Sequence, residues 1–303
     1  MIEKTLVPLD GSKLSEAVLP WAEEISGRMG SSITIIHVSE MAKDPRDLTH
    51  QTYIQYIVNA TKQGAIERSV KLGGSSHIDV QSEILSGNPA EKIVEYAEEV
   101  QIGLIVMATH GRSGISRWTL GSVADKVVRA TTRPILLIRS KDSLPEAHGK
   151  GILNKILVTL DGSENAKAII PYIEEFALGL KAEVLLLQAV PKGYQVLSGY
   201  IASTAETVDS DMLTARDHLD KVAAQLKEKG ITVTTEIRLI IDETHAAEEI
   251  IDFASQTHAD LVAMSTHGRS GISRWAFGSV AERVLREGDT PLLLVRALKS
   301  KKD

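Results

Sequence analysis

The ten residues Thr109-His-Gly-Arg-Ser-Gly-Ile-Ser-Arg-Trp118 recur letter for letter as Thr266-His-Gly-Arg-Ser-Gly-Ile-Ser-Arg-Trp275. Each copy follows an apolar run, Leu104 to Met107 and Leu261 to Met264, and each leads into Gly-Ser-Val-Ala, at Gly121 and at Gly278. The repetition reaches well beyond the loop. Lys4-Thr-Leu-Val-Pro-Leu-Asp-Gly-Ser12 matches Lys155-Ile-Leu-Val-Thr-Leu-Asp-Gly-Ser163, Leu19-Pro-Trp21 matches Ile170-Pro-Tyr172, and Arg133-Pro-Ile-Leu-Leu-Ile138 matches Thr290-Pro-Leu-Leu-Leu-Val295. Matched positions lie 151 apart at the start and 157 apart at the glycine loops, so roughly six residues were gained in the second copy. A repeat of about 150 residues is a whole domain, not a solenoid unit. The chain is expected to form one domain over 1–140, a polar linker over 141–151 punctuated by Pro145, Gly149 and Gly151, and a second domain over 152–303.

Within a repeat, apolar runs alternate with helical patterns. Lys4 to Leu9, Ile33 to Val38, Val80 to Leu85, Ile102 to Ala108 and Ile135 to Ile138 read as strands. Leu14, Val18, Trp21 and Ile25 mark a helix that Pro20 delays or kinks; further helices are expected near Thr49 to Leu72, Ala90 to Glu99 and Ser116 to Ala130. This order predicts an α/β chain of two tandem doubly wound, parallel five-stranded sheets with helices on both faces. Ligands of such sheets bind beyond the carboxyl ends of the strands, where strand order reverses. Those ends carry Asp10, Val38 and the turn from Ala108 to Gly111.

Composition narrows the function. A net charge of −6 argues against a general nucleic-acid binder, and the absence of cysteine removes disulfides, thiolate metal sites and cysteine nucleophiles. No apolar run is long enough to span a bilayer and the N-terminus has no signal-peptide pattern, so a cytoplasmic protein is expected. Neither G-x-x-x-x-G-K-[ST] nor G-x-G-x-x-G occurs in the loop region. Gly111 lets the backbone approach a ligand closely, Gly121-Ser122 opens a helix whose N–H groups suit a phosphate, and Arg112 and Arg117 add positive charge. The same glycines also serve a tight strand-to-helix connection, and Asp10-Gly-Ser12 also fits ordinary turn and N-cap chemistry.

On Val-Pro-Leu-Asp-Gly-Ser, on Gly-Asn-Pro before the third helix, and above all on Met-Ala-Thr-His-Gly-Arg-Ser-Gly with its downstream Gly-Ser-Val-Ala, the chain resembles the universal stress protein family as a tandem pair. The resemblance implies a Rossmann-like, adenine nucleotide alpha hydrolase-like fold. The family's nucleotide-binding branch carries G-x2-G-x9-G-[ST] and binds ATP. Its second and third glycines fall on Gly111 and Gly121-Ser122, and on Gly268 and Gly278-Ser279; the first is replaced by Ala108 and by Ser265. The first site implied comprises Pro8, Leu9, Asp10, Val38, Met107, Ala108, His110, Gly111, Arg112, Gly114, Gly121, Ser122 and Val123. The second comprises Thr159, Leu160, Asp161, Ala189, Met264, Ser265, His267, Gly268, Arg269, Gly271, Gly278, Ser279 and Val280. Asp10 and Asp161 would bond the nucleoside, while Val38 and Met107, or Ala189 and Met264, would flank adenine.

The copies differ at one corner. Where the first has Ser86-Gly-Asn-Pro89, the second has Ile241-Asp-Glu-Thr-His245, whose two acids would repel a triphosphate unless a cation bridges them. The first site should therefore bind ATP or ADP more securely, and the second more weakly or with a greater need for Mg²⁺. No protein-side metal site is expected: His245 and His258 lack ligand spacing. His110 and His267 have no base partner fixed nearby, so positioning roles are favoured, and Trp118 and Trp275 read as anchors of the loop–helix junction. The function expected is ATP binding by a regulatory stress-response protein with little or no catalysis. The alternatives are a slow ATPase or adenylyl-transfer enzyme, and a nucleotide-independent scaffold. The resemblance also implies pairing of the two halves through their last strands, with a homodimer as a further step.

Overall fold

The computed structural model describes residues 2–39, 48–73, 77–110, 120–139, 151–192, 195–197, 200–202, 205–266 and 278–297. It divides into two compact units: Met1–Asn154 with Pro291–Val295, and Lys155–Thr290 with Arg296–Asp303. Among the described residues no helix is long and apolar enough to cross a membrane.

In the first unit, β1 (Lys4–Pro8), α1 (Lys13–Glu16), α2 (Leu19–Met29), β2 (Ser32–Ser39), α3 (Leu48–Lys71), β3 (Val80–Ser86), α4 (Pro89–Glu99), β4 (Leu104–Ala108), α5 (Ser122–Ala130) and β5 (Ile135–Ile138) follow in order. Pro20 sits in the first turn of α2, where its missing N–H costs no helical bond, so the helical pattern splits into a short α1 and a later α2. The strand order β5-β4-β1-β2-β3 is parallel throughout. All five residues of β4 are buried, as a sheet covered on both faces requires. Residues 291–295 belong to this unit, and their strand runs antiparallel to β5 with Leu292 beside Leu137, so β5 is not a bare edge.

The second unit repeats the plan with β6 (Lys155–Thr159), a 3₁₀ turn (Ala166–Ile169), α6 (Ile170–Leu180), β7 (Glu183–Pro191), β8 (Gln195–Leu197), β9 (Tyr200–Ala202), α7 (Ala205–Glu228), β10 (Val233–Ile240), α8 (Ala246–Gln256), β11 (Leu261–Ser265) and α9 (Ser279–Glu287). The strand of the first unit at Leu292–Val295 is β12. Parallel pairing gives the order β10-β7-β6-β11. The hairpin β8–β9 has no counterpart in the strands expected from sequence; it lies between β7 and α7, where the second repeat is longer.

Candidate functional site

In each unit the first strand has later strands on both of its flanks. β1 leads to β2 and β4 to β5; β6 leads to β7, while β11 lies on its other flank. Strand order therefore reverses between β1 and β4, and between β6 and β11, the places where such sheets take ligands at the carboxyl ends of their strands.

In the first unit Leu9 is fixed from both sides: its N–H donates to the Ile36 carbonyl at 2.8 Å, and its own carbonyl accepts from His37 Nδ1 at 2.9 Å. That carbonyl acceptor puts the His37 proton on Nδ1. Asp10, next in chain, takes the turn role that its sequence allows, since Oδ1 accepts the Ser12 N–H at 2.9 Å. Ser12 in turn caps α1 by accepting the Ser15 N–H at 3.1 Å. Pro8 closes β1, Val38 is half-buried on β2, and Met107 and Ala108 end β4 in a buried position.

The start of α5 is clamped to the end of β4. The Gly121 N–H donates to the Thr109 carbonyl at 2.8 Å, and a Cβ at Gly121 would stand 2.9 Å from that same oxygen. Only glycine permits this approach. As the N-cap, Gly121 supplies no side chain, so the first-turn amides at exposed Ser122 and half-buried Val123 stay open to a ligand. His110 Nδ1 lies 3.1 Å from the Thr109 hydroxyl, while its buried Nε2 has no partner among the described residues. Gly111, Arg112 and Gly114 lie outside the described residues, as do Arg117 and Trp118.

In the second unit the crevice is a pocket of about 970 Å³ counting its open mouth. Nine residues singled out from sequence line it together: Thr159, Leu160, Asp161, Ala189, Met264, Ser265, Gly278, Ser279 and Val280. His267, Gly268, Arg269, Gly271 and Trp275 lie outside the described residues. Asp161 repeats the turn of Asp10, with Oδ1 accepting the Ser163 N–H at 2.9 Å, and Gly278 repeats the clamp, its N–H donating to the Thr266 carbonyl at 2.9 Å. The apolar wall also contains Leu187, Ile240, Ala246 and Ile250, which sequence reasoning missed. Sequence offered no sign of Ile240 and Ile250, because a strand end and a helix face carry no mark of which residues border a crevice.

The acidic corner resolves into two different roles. Asp242 accepts from the Thr244 N–H at 2.8 Å and lies 2.9 Å from His245 Nδ1, with the Thr244 hydroxyl also on it. These bonds hold the Asp242 carboxyl down to about 2, the Thr244 hydroxyl foremost, and tie it to a short turn, Glu243–His245. Glu243 is the acid that lines the pocket. At the equivalent corner of the first unit Asn88 caps α4, its Oδ1 accepting the Ala90 N–H at 3.1 Å. Among the described residues no group of three or more His, Asp or Glu side chains is placed to share a metal ion.

Comparison with known proteins agrees with this doubled plan. A universal stress protein of Mycobacterium tuberculosis is 25% identical over 306 residues, covering 96% of this chain and 96% of its own. A universal stress protein of Methanocaldococcus jannaschii is 30% identical over 142 residues, covering 46% of this chain and 83% of its own. Among solved structures, a universal stress protein from Archaeoglobus fulgidus superposes with a TM-score of 0.66 at 19% identity, over 98% of this chain and 100% of that one. The sequence model of the universal stress protein family matches residues 1–139 and again 153–296. The chain belongs to the universal stress protein family, with two copies of its domain in tandem.

Proposed function

We propose that this protein binds an adenine nucleotide, ATP or ADP, in each repeat and serves a regulatory role in a stress response with little or no catalysis. The observation that carries the proposal is the second unit's pocket. It is lined by apolar side chains (Ala189, Met264, Leu187, Ile240), by the Asp161 carboxylate and by the start of α9, which no side chain caps. An apolar slot suits a base, a carboxylate at a strand end suits ribose hydroxyls, and open first-turn amides suit phosphate oxygens. The clamp at Gly121 builds the same helix start in the first unit.

In the second site Glu243 would hold a Mg²⁺ ion that offsets the phosphate charge, while the first site, with Asn88 at that corner, would need it less. A regulatory role is preferred to slow ATPase or adenylyl-transfer chemistry, which steady-state turnover would reveal. The reading includes assembly into a homodimer, which light scattering checks. Mass spectrometry of the supernatant from heat-denatured protein, with calorimetric titration of ATP, ADP, AMP and GTP, tests the binding. Adenine nucleotides should bind in preference to GTP; failure of all of them to bind overturns the proposal.

A further inference from the structure

Ser265 ends β11 where the first repeat has Ala108. The residue is only 7% exposed, it lines the pocket, and its buried hydroxyl has no hydrogen-bond partner among the described residues. A buried hydroxyl without a partner is unfavourable in an empty site, so its retention calls for a partner that the ligand brings.

The surroundings say which kind of atom that partner is. The Gly278 N–H, bonded to the Thr266 carbonyl at 2.9 Å, draws the start of α9 against the end of β11. Inside α9 the Glu282 N–H is the one that returns to the Gly278 carbonyl, at 2.9 Å, so the amides of Ser279, Val280 and Ala281 come before the first helical bond. Gly278 offers no capping side chain. The pocket lining next to Ser265 thus holds helix-start amide donors that no capping side chain occupies. An oxyanion answers them all, because a hydroxyl and helix-start amides both donate to it.

We propose that the Ser265 hydroxyl donates a hydrogen bond to a phosphate oxygen of the nucleotide, and that it distinguishes the second site from the first, where Ala108 has no hydroxyl. This rests on the nucleotide reading above and adds a named specificity residue to it. The two sites then weigh phosphate differently: the second gains a donor at Ser265 and carries Glu243 against the anion, whereas the first has neither.

The test is Ser265→Ala in the full chain, with Ser265→Thr as the variant that keeps the hydroxyl and Ala108→Ser as the reciprocal gain. Calorimetry with ATP, AMP and adenosine, each without and with Mg²⁺, is paired with melting of the nucleotide-free protein. In Ser265→Ala, affinity of one site for ATP and AMP should fall about tenfold, the scale of a hydrogen bond to a charged group, while adenosine is unaffected. Ser265→Thr should keep more of that affinity, and Ala108→Ser should tighten the other site. The nucleotide-free melting temperature of Ser265→Ala should stay level or rise, since an unsatisfied hydroxyl is removed. Unchanged ATP affinity in Ser265→Ala, or an equal loss for adenosine and ATP, overturns the assignment while leaving nucleotide binding intact. Lack of binding by the parent protein overturns the nucleotide reading and this assignment with it.

Discussion

The fully buried Glu24 carboxylate receives the backbone N–H of Ile152 on both of its oxygens, at 2.9 and 2.8 Å, across 128 positions of sequence. The Leu153 N–H joins at 3.1 Å and the Arg28 guanidinium at 3.1 Å. Gly151, with φ of +97°, turns the chain into this grip, and a side chain there would collide with the carboxylate. Burying a carboxylate is tolerable because every approach to it is a donor. Removing it strands two buried amides and takes a carboxylate from the Arg28 guanidinium, whose side chain is 9% exposed. Glu24→Ala should therefore destabilise the protein by about 3–5 kcal/mol, read from the urea midpoint. A loss below about 1 kcal/mol would show that the grip contributes no more than an exposed ion pair.

The clamp at the first glycine-headed helix gives a second expectation. A methyl group at Gly121 would meet the Thr109 carbonyl at 2.9 Å, so either β4 or α5 must shift. The backbone there is ordinary, with φ of −60°, so the cost is purely steric. Gly121→Ala should lower stability by about 1–3 kcal/mol. It should also weaken nucleotide binding in the first unit, because the open amides of α5 move away from the strand end. A variant with parent-like stability and parent-like titration would mean that the strand end yields freely.

The doubled plan was legible because its signals are local. Buried parallel strands such as Leu104–Ala108 read as unbroken apolar runs, and the split at Pro20 follows from one missing N–H. The carboxyl-end location of Asp10, Asp161, Gly121 and Gly278 follows from alternating strands and helices alone. Asp10 carried two readings, turn and ligand, and its bond to Ser12 realises the first. What sequence did not disclose depends on distant residues. Nothing near Glu24 announces Ile152, and the three-residue strands Gln195–Leu197 and Tyr200–Ala202 are too short for a period to emerge. The buried Ser265 hydroxyl was legible only as a small residue in a glycine's place.

A histidine of the second unit sets a pH dependence. His218 on α7 lies with Nδ1 3.2 Å from Gln188 Oε1, and its buried Nε2 has no partner among the described residues. Burial lowers its pKa from the ordinary histidine value and Lys167 lowers it further, against the opposing pull of Asp161, Glu164 and Asp217. The folded protein thus holds this ring neutral where the unfolded chain would protonate it. The stability it contributes is present above the unfolded value of about 6.5 and is lost as pH falls through the lower folded value. Melting temperature should drop on going from pH 7 to pH 5, and drop less in His218→Gln. Parallel profiles for the two proteins would remove His218 as the source.

The two acids that replace Gly87-Asn88 should separate by mutation. The Asp242 charge is stabilised within its own segment, where three donors surround the carboxylate. Glu243 lines the pocket and faces whatever anion enters. Glu243→Gln should tighten ATP binding by the second site about two- to fivefold without Mg²⁺, the scale of a partly exposed charge pair of like sign. With Mg²⁺ the gain should shrink, because the cation already screens Glu243 from the phosphates. Adenosine, which carries no phosphate, should bind both proteins equally. Asp242→Asn should instead leave ATP affinity near the parent value and loosen the turn before α8, seen as faster amide exchange at Thr244. If Asp242→Asn gave the larger gain in ATP affinity, the carboxylate that opposes the nucleotide would be the capping one, and the roles assigned at this corner would be reversed.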